Sequence, residues 1–123
     1  MSHMFFLSAG ALSALWLVVH VIVGGRQIAR PLVSATALSP VVRHTQYLCW
    51  HFTTVAIACM AGFFLWAAHA GDATLAAAGT ALATGFFLVG VALVPVVRET
   101  YSRLPQGWLF LPVALLGLTG LMQ

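Results

Sequence analysis

FFLSAGALSALWLVVHVIVG, residues 5–24, runs its whole length without an acid, a lysine or an arginine. That length suits an α-helix crossing the roughly 30 Å hydrocarbon layer of a bilayer. Three more stretches of this kind follow, at about 46–69, 74–97 and 107–122. The chain has 123 residues, 62% of them hydrophobic and 6% charged, with a mean hydropathy of +1.03. A soluble domain this small leaves too much of its surface in water to hide so many apolar side chains. The reading is therefore all-α: a single transmembrane domain, an integral membrane four-helix up-down bundle joined by short connections.

The arginines orient it. There is no lysine; Arg26, Arg30 and Arg43 fall between the first and second stretches, and Arg98 and Arg103 between the third and fourth. The positive-inside rule then puts the arginine loops in the cytoplasm and both termini outside, in a plasma membrane. The arginine-only, alanine-rich composition suggests a GC-rich bacterial genome, which makes that membrane a bacterial inner membrane. The formal charge of +3 is read as anchorage to anionic lipid rather than to nucleic acid. The N-terminus lacks the positive n-region of a secretory signal, so the first stretch is read as a retained span.

Gly24-Gly25 reads as a helix stop, followed by a loop holding Pro31. Ser39 and Pro40 suit the N-cap and first position of the second helix. Gly71-Asp72 marks a tight turn, and Pro105 the last connection. Tyr47, Trp50, Tyr101 and Trp108 lie near the arginine-bearing boundary and Trp66 near the other, as an aromatic belt would. Cys49 and Cys59 lie about 15 Å apart on one helix, too far for a disulfide, and read as small apolar side chains.

Small and polar residues at helical spacing mark the faces expected to pack inward. They are Ala9, Ser13, Trp16, His20 and Gly24 on the first helix, and His44, Tyr47, His51, Thr54, Ala58, Gly62 and His69 on the second. The third carries Ala77, Ala81 and Gly85, with Thr80 and Thr84 beside them.

The candidate chemistry lies in one layer. His20 and His51 both fall about 6–8 Å inside the arginine-bearing boundary, where antiparallel neighbours can bring the two rings face to face. Pro95 and Pro112 each remove a backbone hydrogen bond near that level and free a carbonyl. Arg98, Glu99, Gln106 and Arg26 would form the mouth, with Tyr47 beside His51. His20, His51 and Glu99 have the ligand types of a transition-metal site. His20 and His51 alone have those of an axial pair on haem b, whose propionates Arg26 and Arg43 can meet. A quinone or lipid head group in a polar pocket is a further reading, and histidines hydrogen-bonding to Thr54 or Tyr47 as packing aids another.

A nucleophile with a positioned base, paired carboxylates and a phosphate-cradling loop are all missing. The layout is a histidine in the first span, an aromatic-histidine pair in the second and Pro-Gln opening the fourth. It resembles small bacterial four-span proteins in architecture, a likeness that implies no activity. Two functions stay open. One is a cofactor- or amphiphile-binding pocket near the cytoplasmic face, with proton or electron transfer on a membrane-soluble substrate if it is an enzyme. The other is a non-catalytic subunit of a larger membrane complex or homo-oligomer.

Overall fold

The computed structural model describes residues 1–123; its regular structure is all helix, with no strand. Its first helix is one continuous rod in three parts: α1 (Ser2–Val19), a π-helical segment (His20–Ala29) and α2 (Arg30–Ser34). Then come α3 (Pro40–Ala70), α4 (Ala73–Val96), a 3₁₀ turn (Gln106–Phe110) and α5 (Leu111–Leu121). The first rod, α3 and α4 are long and apolar enough to cross a membrane; the rod from Gln106 to Leu121 is apolar but shorter.

Three boundaries follow from their capping residues. Ser39 Oγ accepts from the Val42 N–H at 3.4 Å, with Pro40 at the first helical position. Gly71, at φ 70°, closes α3 in the left-handed region that glycine adopts without cost. Asp72 Oδ1 then accepts from the N–H groups of Thr74 (2.9 Å) and Leu75 (3.1 Å), capping α4.

The stop expected at Gly24-Gly25 does not occur. Both glycines keep helical backbone, since only Gly71 and Arg98 have positive φ. The reason is packing. A Cβ on Gly24 would lie 2.5 Å from the ring of Trp50, so the glycine is there to admit an indole. Pro31 likewise sits inside the continuous rod, directly after the π segment. Pro112 lies over a turn into the rod from Gln106 to Leu121, and Trp108 O, deprived of its helical donor, accepts from Leu111 N–H instead.

The helices pack in a ring, α1 on α3 and α5, and α4 on α3 and α5. Close approaches fix the directions: Gly10 meets Leu65 and Gly24 meets Trp50, Gly79 meets Phe64, and Gly90 meets Gly107 while Gly117 meets Thr80. The α1–α3 and α4–α5 pairings each run backwards along one partner, and the tight Gly71-Asp72 turn reverses α3 into α4, so the bundle is up-down. All five arginines consequently lie at one end, with Gly71-Asp72 at the other. Fully buried Phe64 is the centre of the core, seated on Gly79 and Gly117.

The inward faces are those expected for α1, where Ala9 and Ser13 are buried and Trp16, His20 and Gly24 half-buried. On α3 and α4 they are rotated. Ile57, Met60, Ala61 and Phe64 turn inward while Ala58, Gly62, His44, His51 and His69 are exposed, and Ala76, Gly79 and Ala83 replace Ala77, Ala81 and Gly85. Bulk explains it: the large side chains of α3 fill the centre and seat against the one row of α4 that admits them. Tyr47 lies as far from Phe64 along α3 as Val96 lies from Gly79 along α4. The start of α3 and the end of the first rod therefore project beyond α4, by about 10 Å.

Candidate functional site: a groove beside the π segment

The projecting hairpin carries a groove of about 590 Å³ between the π segment with α2 and the first turns of α3. Val21, Ile22 and Val33 supply apolar wall; Arg26, Arg30, Tyr47 and His51 supply the polar groups, and Trp50 completes the lining. A π-helical stretch is uncommon and frequently marks a functional position. Here it turns Val21, Ile22, Gly25, Arg26 and Ala29 toward one side.

His20 opens the π segment but does not line the groove. Its ring stacks on Trp50, centroids 3.8 Å apart and planes 15° from parallel. Its Nε2 is 3.1 Å from Thr54 Oγ1, and Thr54 Oγ1 donates to the Trp50 carbonyl at 3.1 Å. A hydroxyl has one proton, so Thr54 accepts from His20, which fixes the Nε2–H form of the imidazole. His20 is thus a positioning residue that holds Trp50 against Gly24.

His51 is one residue further round α3 and exposed, edge-on to Tyr47 with centroids 4.6 Å apart. Neither the Tyr47 hydroxyl nor the His51 ring hydrogen-bonds within the protein, leaving both to the groove. The expected face-to-face histidine pair is not formed, because Trp50 takes the position opposite His20. A bis-histidine haem does not fit this arrangement, since His20 spends its Nε2–H on Thr54 and its face on Trp50.

Nor is the metal set of His20, His51 and Glu99 assembled: nowhere do three histidine, cysteine, aspartate or glutamate side chains converge. Glu99 lies past the end of α4, where Arg98, at φ 57°, turns the chain out of the helix. There Arg98 N–H donates to Pro95 O at 3.1 Å and Glu99 N–H to Val94 O at 3.0 Å, a Schellman close with arginine in the glycine position. The Glu99 carboxylate pairs with Arg103 at 3.4 Å rather than with Arg98. Arg98, Glu99 and Gln106 therefore belong to the α4–α5 connection and line no part of the groove, unlike Arg26, Tyr47 and His51. Arg43 braces the hairpin instead, its Nη1 donating to Ala35 O at 3.2 Å.

The carbonyl freed by Pro95 is accounted for without a ligand. A helical residue at 95 would have bonded Val91 O, and Tyr101 Oη donates to that oxygen at 3.1 Å. Tyr101 and Phe87 in turn pack edge-on to Trp108. Arg30 and Val33, which sequence reasoning left out of the site, line the groove because the rod does not stop at Gly25. Comparison with protein-family models, curated proteins and solved structures finds no match for the chain.

Proposed function

We propose that this is a multi-pass membrane protein whose groove beside the π segment holds an amphipathic small molecule. The observation that carries the reading is the lining itself, which combines aliphatic side chains with two guanidiniums, a phenol and an imidazole. A pocket of this size and mixed character suits an amphiphile, whose tail and head need different walls.

Insertion is supported by the three long apolar helices and by the many large side chains pointing away from the core, among them Leu15, Phe52, Val55, Leu88 and Val89. In the proposed orientation the arginine-bearing end faces the cytoplasm and the groove opens at the inner boundary of a plasma membrane. Tyr47 and His51 hydrogen-bond the head of the bound molecule, and Val21 and Ile22 contact its tail. This is a binding role, and the groove residues hold and orient rather than transform.

The test is the content of the purified protein. Detergent-extracted protein should carry a stoichiometric amphiphile by mass spectrometry, and a visible spectrum reports any haem held by His51 alone. Val33→Trp, which fills the groove, should lower that content several-fold. Unchanged content in both Val33→Trp and His51→Ala overturns the reading.

A second reading rests on Ala77, Ala81 and Gly85, which form a small-residue row facing outward on α4. Such rows let another membrane helix approach closely, as a subunit of a larger complex or a homo-oligomer requires. Protein free of amphiphile that purifies only within a larger assembly favours this alternative.

A further inference from the structure

We infer that the occupant of the groove is an anionic phospholipid, its phosphate held between Arg26 and Arg30; the inference rests on the groove reading above and names its ligand class. The groove lacks counter-charge. The chain has two acids, Asp72 and Glu99. Asp72 caps α4 at the far end of the bundle, and Glu99 is paired with Arg103 on the α4–α5 connection. Arg26 and Arg30 both line the groove, and neither has an acidic partner.

Arg26 and Arg30, four residues apart on one rod, bring two positive charges to the same groove. Guanidinium forks match phosphate oxygens in geometry. The rest of the lining selects the remainder of the ligand. Tyr47 and His51 offer hydrogen bonds to glycerol or ester oxygens, and Val21 and Ile22 extend the groove along the rod toward the core, as the start of an acyl chain requires, while Val33 closes it beyond Arg30. A neutral quinone leaves both charges unmatched, and a free phosphate leaves the aliphatic wall unused.

The experiment uses the full chain, delipidated in detergent and titrated with phosphatidylglycerol, phosphatidylcholine or inorganic phosphate, with adducts counted by native mass spectrometry. One phosphatidylglycerol per chain is expected, bound about tenfold more tightly than phosphatidylcholine, with no phosphate adduct. Arg26→Gln with Arg30→Gln should abolish that preference, whereas Arg98→Gln with Arg103→Gln, which removes the same charge elsewhere, should keep it. Circular dichroism checks that each variant is folded.

Equal binding of the two lipids by the wild-type protein, both weakened by Val33→Trp, overturns the anionic assignment and leaves the groove reading standing. Lipid binding indifferent to Val33→Trp removes the groove itself. Competition by inorganic phosphate at matched concentration would make it a free-anion site and likewise overturn the inference.

Discussion

Pro95 and Tyr101 form a pair that only their chemistry connects. The proline deprives Val91 O of its helical donor, and the phenol of Tyr101 supplies another. Tyr101→Phe should therefore cost about 1 kcal/mol in denaturant unfolding. In a Pro95→Ala background that cost should largely vanish, because the restored N–H takes the carbonyl. Equal costs in both backgrounds would show that the two residues act separately. Backbone handedness gives a second pair. Arg98 holds a left-handed conformation that strains any residue but glycine, so Arg98→Gly should raise stability by up to about 1 kcal/mol, while Gly71→Ala should lower it by about as much. A freed carbonyl at Val91 was legible in the sequence from Pro95 alone. Its partner was not, since the return of Tyr101 depends on where Arg98 turns the chain. His20 was legible as a polar group inside a helix, and Thr54 as a partner for it. That Trp50 rather than His51 faces His20 depends on the rotation of α3, which the bulk of Met60 and Phe64 sets and local spacing does not reveal.

Among the elements, the π segment departs furthest from expectation. Two adjacent glycines ordinarily end a helix, and here one admits Trp50 while the other meets nothing. The two substitutions should then differ sharply. Gly24→Ala forces the indole away and should cost about 1–3 kcal/mol, with a shift in tryptophan emission. Gly25→Ala finds open space and should be neutral or slightly stabilising by its effect on the unfolded chain. If both behave alike, the packing account of the π segment is wrong. The caps at Ser39, Gly71 and Asp72 were readable because each acts on backbone within three or four residues. The continuation through Gly24-Gly25 was not, because its cause sits on another helix. For the same reason Arg30 and Val33, which line the groove, escaped notice, whereas Arg26, Tyr47 and His51, which also line it, could be singled out from spacing.

At the scale of the whole molecule, the even spacing of apolar stretches and the one-ended arginines made the up-down bundle legible. Membrane orientation is the proposal that follows. With Cys49 and Cys59 replaced by alanine, single cysteines at Ala37 and Ser102 should react together with an impermeant reagent, from the side opposite to one at Ala73. Labelling of Ala37 and Ala73 from the same side would refute the threading. The seat of Phe64 on Gly79 and Gly117 has a mechanical corollary. One ring clamps α3, α4 and α5, so those three helices must loosen as a unit. The π segment and α2 rest chiefly on α3 and take no part in that clamp. If the groove holds a guest as proposed, residues 20–34 form the wall that would yield to it, at less than the cost of global unfolding, while the interior stays shut.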